Sequence, residues 1–308
     1  MQGPRGARRP STEGAERQQH PAALEGEAIV LDYMPGGYYA DPHPEHRETP
    51  VAQAVGVKRF TLIDGIPLTR VDVFDKVTLA REISRTIIQP LDQFGRRIRR
   101  LTIQLACLPG ADKRIYCCPV SRLSDQLFEI LNEEVSRDQS RVVLVNDPNY
   151  MVDIAVEKGL PDKILVVPRK PLTYNDLSDI AKSNLPEAVK RIILENEEFF
   201  VSFFNVAEPI NIRLHALELL AGIGKRTVKQ IISERARRPF TRFEEVKRII
   251  KVDPLEALAD RIVNEIRGVT GDDKSRQYYK HYYLFIPPPN PEIRFLDYLS
   301  KMKRPVRK

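Results

Sequence analysis

Gly222, Ile223, Gly224, Lys225 and Arg226 are the residues whose types and spacing specify a chemistry, the holding of an anion. Two glycines flank one apolar residue, and two cations follow at once. Glycine lets a backbone take positive φ and approach a ligand closely. A helix beginning after such a turn has first amides without intrahelical acceptors, and the positive end of its dipole lies there too. Amides so placed bind phosphate. Lys229, Arg235, Arg237, Arg238 and Arg242 would extend the contact along a polyanion. Contacts of this kind position a nucleic acid without reading its bases. A plain helical hairpin closed by glycines shares part of the pattern. The coincidence of turn, apolar plug and cations favours the phosphate site.

Other chemistry-bearing residues form no comparable set. His43, His46 and Asp41 are metal ligands by type, in a Pro-rich loop. No further His or Cys lies nearby in sequence and the prolines set the loop's shape, so no metal is assigned. Asp32, Asp41, Asp64, Asp72 and Asp75 are scattered over strands and turns, without a spacing that compels a metal. Cys107, Cys117 and Cys118 contain no C-x-x-C and make neither a disulfide framework nor a zinc site. No phosphate loop or dinucleotide fingerprint occurs, so no cofactor is expected and no residue is assigned a catalytic role. The aromatic run Phe199–Phe204 offers either a base-stacking platform or an anchor between domains. Its lack of polar interleaving favours the anchor.

The elements that must position the glycine turn come next. Ile212, Leu214, Leu217 and Leu220 recur at roughly helical spacing before it, and Val228, Ile231 and Ile232 after it. Two helices around a tight turn are therefore expected. Phe243, Val246, Ile249 and Ile250 predict a further helix with Thr241 as N-cap. Leu255, Leu258, Ile262 and Ile266 predict a last one, ending at Gly268, after the turn Lys251–Pro254. This second hairpin has no glycines and would complete the core without a second phosphate approach. Upstream, Thr173 and Asp176 cap one helix start, and Leu185-Pro186-Glu187 opens the next.

The N-terminal half reads as short strands. Glu27–Tyr33, Lys58–Ile63 and Arg70–Val77 are strand-like, Val51–Gly56 is a helical turn or loop, and the Gly/Pro turns suggest a small barrel. Over residues 80–167, a strand pair or one long strand at Arg96–Leu108 and strands at Arg114–Cys118, Arg141–Asn146 and Lys163–Val167 alternate with helices at Ser121–Val135 and Tyr150–Lys158. This order suggests an α/β layer. Residues 1–26 have almost nothing apolar and are expected to be disordered. Tyr282–Ile286 reads as a strand, and Lys301–Lys308 is a basic tail.

At 308 residues the chain holds two domains or three, and its formal net charge is +7. Between Leu219 and Lys251, ten Lys and Arg face three acids, a local balance of +7. The excess is centred on the glycine turn and favours a polyanionic partner. No apolar run approaches the length of a bilayer span, and the N-terminus lacks a secretory apolar core. A cytoplasmic protein without membrane partners is expected.

The glycine turn resembles the helix-hairpin-helix motif, with Ala221 where the usual form has proline. Together with Ile29–Met34, Pro50–Ile63, Pro171–Phe204 and Leu214–Phe240, it resembles an archaeal family of uncharacterised two-domain proteins. The most specific parts are Pro50–Gly56, Phe203–Asn205 and Leu219–Arg235. The resemblance implies an α+β fold with an OB-like β-barrel over 27–172; residues at about 80–160 depart from the family's pattern and read as an extra α/β insert. A helical connector over 173–205, an all-α helix-hairpin-helix domain over 206–268 and a C-terminal segment over 269–308 follow. It also implies binding of nucleic acid, RNA before DNA, by a non-enzymatic protein. Lys58, Arg59 and Arg70 are candidates on the barrel. A nuclease or modification enzyme using the hairpin as a binding arm, and a protein-interaction component of a ribosome-linked assembly, remain as alternatives.

Overall fold

β1 (Glu27–Met34) is apolar almost without interruption because both of its faces are buried. Ala28 and Val30 point into one core, Ile29 and Leu31 into another. The first core is the interior of a closed five-strand barrel. β1 pairs antiparallel with β2 (Val51–Gly56), β2 with β3 (Leu62–Pro67), and β3 with β9 (Ile164–Val167). β9 runs parallel to β4 (Lys76–Pro90), and β4 returns to β1 to close the ring. Ala52, Ala54, Ile63, Val77, Leu79, Leu165 and Val167 fill the interior. The computed structural model describes residues 21–67, 70–90, 101–109, 115–119, 141–144, 151–153, 163–268 and 282–302.

β2 corrects the helical reading of Val51–Gly56. Its two alanines are weak strand formers, but a narrow barrel admits only small side chains there. Gln53, pointing the other way, is fully buried and hydrogen-bonded, accepting from Ser178 N at 2.8 Å and donating to Asp176 O at 3.1 Å. The strand expected at Lys58–Ile63 begins later, at Leu62, and that expected at Arg70 begins only at Lys76. Asp72 and Asp75 make a turn instead, with Asp72 N donating to Asp75 Oδ2 at 2.7 Å.

Residues 21–26 are ordered, against the expectation of disorder there. A helical turn covers Pro21–Leu24, and Glu25 is completely buried. Its carboxylate accepts from the amides of Lys58, Arg59 and Thr61 at 2.8–3.0 Å, fixing the β2–β3 turn. That turn holds Phe60 at a φ of 58° and buries its ring 6.0 Å from Phe200. Phe74, at a φ of 69°, lies under the Arg191 guanidinium at 4.0 Å. Left-handed backbone is costly for a bulky residue. Both strained aromatics join the barrel to the helices, whose packing offsets the cost.

β4 runs on past the barrel and carries β5 (Leu101–Pro109), β6 (Ile115–Pro119), β8 (Met151–Asp153) and β7 (Arg141–Leu144), the last pairing back onto β4. Among the described residues the insert is therefore a strand extension of the barrel sheet. Met151–Asp153, expected in a helix, is strand. The helix expected at Ser121–Val135 lies outside the described residues.

The helical half packs on the outer face of β1 and β2. α1 (Asp179–Glu195) starts at Ser178, whose Oγ accepts from Ala181 N at 3.0 Å and donates to buried Asp32 at 2.6 Å. α1 passes through Pro186, where a boundary was expected. Proline forgoes one backbone bond, but the buried stripe Ala181, Leu185, Ala188, Val189, Ile192 and Ile193 is continuous and carries the helix across. The capping contact of Thr173 and Asp176 exists as expected, on a short 3-10 turn, Tyr174–Asp176. In α2 (Glu197–Val206), Phe199, Phe200, Phe203 and Phe204 are all buried, so the aromatic run anchors the two halves.

Before the glycine turn the structure departs from the expected long helix. β10 (Pro209–Asn211) and β11 (Leu214–His215) form a small hairpin, and a 3-10 turn, Ala216–Leu219, follows. Asn211 Oδ1 accepts from Arg213 N at 2.8 Å, a side-chain turn that competes with helix. Ile212 sits at its tip, fully exposed rather than on an apolar face. After the turn come α3 (Lys225–Arg237), α4 (Phe243–Lys247) and α5 (Pro254–Ile266), with Gly268 at a φ of 72° after α5. α4 starts from Arg242 rather than Thr241. Of the expected strand at Tyr282–Ile286 only β12 (Tyr282–Tyr283) forms, parallel to β13 (Arg294–Phe295). α6 (Tyr298–Lys301) closes the described chain. Among the described residues, no helix is long and apolar enough to cross a membrane.

Candidate nucleic-acid interface and a buried His–Asp cluster

The glycine turn is built from below. Gly222 has a φ of 77°, and a β-carbon there would stand 2.5 Å from Val252 Cγ1. The second, glycine-free turn thus packs its valine beneath the first, and only glycine fits between them. Ile223 is buried as the plug, its amide bonded to Leu220 O at 3.3 Å. Gly224 differs: its φ of −106° suits any residue, and a β-carbon would meet nothing within 4 Å. It is the N-cap of α3 and offers no side-chain acceptor. Among the described residues, none of the turn and cap backbone bonds uses the amides of Gly224, Lys225 or Arg226.

The expected cations divide into three groups. Lys225, Arg226, Lys229 and Arg242 are exposed, and no ion pair among the described residues involves them. Arg237 and Arg238 are exposed but face Glu234 at 3.3 Å and Glu245 at 3.7 Å. Arg235 is half-buried and donates through Nη1 to the carbonyls of Phe204 at 3.0 Å and Ala207 at 2.8 Å. It ties α3 to the end of α2. Ile232, read as part of the apolar face, is exposed. On the barrel, Lys58 and Arg59 are exposed on the turn that Glu25 holds, and Arg70 faces Asp72 at 3.7 Å.

A second constellation joins residues that sequence distance keeps apart. Asp41, His43 and His46 lie in the β1–β2 loop, and Asp64 on β3 completes the group. One ligand atom from each lies within 4.8 Å of all the others. His43 Nδ1 and His46 Nδ1 approach Asp64 Oδ2 at 2.8 and 2.5 Å, and Asp41 Oδ1 at 3.4 and 3.7 Å. Asp41 and Asp64 side chains are 0% exposed, His46 2% and His43 12%. Burial disfavours charge on His46, yet the two carboxylates outweigh it and push its pKa up to about 9. Burial likewise opposes ionisation of Asp64, but the two imidazoles hold it down to about 2. The sequence contained the D-x-H-x-x-H spacing. Asp64 was invisible as its fourth member, because β2–β3 register alone brings it alongside.

A barrel joined through its outer face to a helical half with an open glycine turn defines the class. This chain belongs to the archaeal family described as "Protein of unknown function (DUF655)", whose model matches residues 24–286. It is 27% identical over 263 residues to the uncharacterized protein MJ0038 of Methanocaldococcus jannaschii, covering 85% of this chain and 82% of that protein. The crystal structure of Af1531 from Archaeoglobus fulgidus is similar with a TM-score of 0.47 at 26% identity, over 81% of this chain and 98% of that one.

Proposed function

We propose that this protein binds a nucleic-acid backbone, RNA before DNA, at the turn Ala221–Arg226, without catalysing a reaction on it. The observation that carries the reading is the open start of α3. There, amides outside the turn's own bonding stand beside Lys225, Arg226 and Lys229, all exposed and without ion pairs among the described residues. Backbone amides and the helix dipole favour a phosphate at such a place. Arg242 extends the positive surface, and Arg237 and Arg238 add to it at lower effective charge. Arg235 contributes to the architecture of the turn rather than to contact. The choice of RNA rests on the family resemblance.

The test is titration of full-length protein with labelled single-stranded RNA and duplex DNA, read by fluorescence anisotropy at several salt concentrations. Wild-type affinity should fall steeply with salt. Replacing Lys225→Glu and Arg226→Glu together should weaken binding to all sequences alike by roughly tenfold or more. For every phosphate of a single strand that the variant no longer neutralises, the log–log salt slope should flatten by about 0.7. Wild-type affinity and slope in a folded double variant would exclude the turn as the site. Recovery of protein partners from native extract that survives nuclease treatment would point to an assembly role instead.

A further inference from the structure

The β1–β2 loop turns its polar residues inward, where a surface loop ordinarily presents them to water. We infer that Asp41, His43, His46 and Asp64 hold one divalent first-row cation, zinc by the donor set, which pins this loop to β3. Four protein donors in a closed, buried arrangement are the mark of a structural zinc site. Two imidazoles among them disfavour magnesium and calcium, which take oxygen donors and keep water.

Distances support the assignment. Neighbouring donors of a tetrahedral ion with bonds of about 2.0–2.1 Å stand about 3.3 Å apart. The two imidazoles are 3.4 and 3.7 Å from Asp41. Their separations from Asp64, 2.8 and 2.5 Å, are hydrogen-bond contacts. Opening these to cage dimensions takes a shift of under about 1 Å.

Unmet bonding is the second observation. A self-sufficient buried polar network satisfies its members. Here Asp41 Oδ2 and Asp64 Oδ1, the second oxygens of the two carboxylate donors, have no partner, two of the five such buried atoms among the described residues. The two orphaned carboxylate oxygens belong to side chains with no exposure at all. A dication with two carboxylates and two neutral imidazoles sums to zero charge, which suits a dry site. Pro42 and Pro44 stiffen the loop, and Gly37, at a φ of 85°, allows the chain to close against Arg47 O. These features restrain the loop that carries three of the four donors.

The experiment uses the full chain, stripped with a chelator and then titrated with zinc or cobalt(II). Zinc should be retained at one per chain through gel filtration, and Tm should rise on its addition. Cobalt should give the intense visible bands of a four-coordinate ion. His43→Gln keeps a polar side chain at the least buried ligand and should lose stoichiometric zinc. His215→Asn should retain it. A folded wild-type chain that keeps no zinc and shows no change in Tm overturns the inference. So does His43→Gln with unchanged stoichiometry. Should His43→Gln fail to fold, wild-type cobalt spectra decide: weak six-coordinate bands reject the site, and intense bands support it.

Discussion

Gly222 and Gly224 stand two residues apart, and their surroundings make them unequal. Gly222 combines positive φ with a β-carbon position 2.5 Å from Val252. Gly222→Val should lower stability by roughly 2 kcal/mol or more, from backbone strain and overlap together, read as a drop in the chemical-denaturation midpoint. Gly224→Val meets neither obstacle and gives up only the N-cap preference for glycine over valine, which should cost about 1 kcal/mol or less. In the proposed function it should nevertheless weaken nucleic-acid binding, because its side chain stands where a phosphate would approach. Equal stability losses in the two variants would contradict this division. The sequence marked both glycines as functional. Their different roles follow from Val252, which lies in the second turn, and no local pattern carries that fact.

At the scale of elements, His215 illustrates a buried cap. Its Nδ1 accepts from Leu217 N at 3.2 Å, and its own amide donates to Glu218 at 2.9 Å. Burial, and then the nearby Arg235, push its pKa down to about 4. A neutral histidine in the fold and an ordinary one in the unfolded chain make stability pH-dependent. The contribution is complete above about pH 6.5, shrinks as pH falls towards 4, and is gone below that. The folded pKa of about 4 implies a loss of order 3 kcal/mol across this window. His215→Asn preserves an acceptor for Leu217 N and removes the titration. The wild-type Tm should therefore fall further than the variant's between pH 7 and pH 5. Parallel losses would show that the titrating group lies elsewhere. The Ile212–Leu220 periodicity predicted a helix here. An Asn211 side-chain turn and the His215 cap divided it into a hairpin and a 3-10 turn, and side-chain–backbone competition of that kind is only partly encoded in apolar spacing.

Across the whole molecule, a buried carboxylate ties the C-terminal segment to α5. Glu265 on α5 accepts from the amides of Leu284, Phe285 and Ile286 at 2.7–2.9 Å and from Arg261 Nε at 2.7 Å. Phe285 then packs at 5.1 Å from Phe203, and Tyr298 at 4.9 Å, so this segment caps the aromatic anchor between the two halves. Glu265→Ala leaves three amides without their acceptor and removes the carboxylate that Arg261 Nε donates to, with an expected cost of about 3–5 kcal/mol. Hydrogen exchange should show residues 282–302 losing protection while the barrel interior, a separate core, retains it. Equal loss in β1 and β3 would mean that the two cores unfold as one.

The amino-acid sequence by itself determined a mixed α+β chain, the strand of Glu27–Tyr33, the helix of Leu255–Ile266, the glycine turn and the concentration of positive charge around it. These depend on short-range spacing and composition, which survive in a linear reading. Tertiary structure alone decided that Val51–Gly56 is a barrel strand, that Arg235 serves the architecture, and that Asp64 joins Asp41, His43 and His46. Each of these depends on what stands opposite: a narrow barrel interior for the alanines, the last carbonyls of α2 for the guanidinium, a neighbouring strand in register for the carboxylate. Residues distant in the chain become chemical neighbours only when loop closure and strand pairing bring them together, and no local periodicity records that pairing.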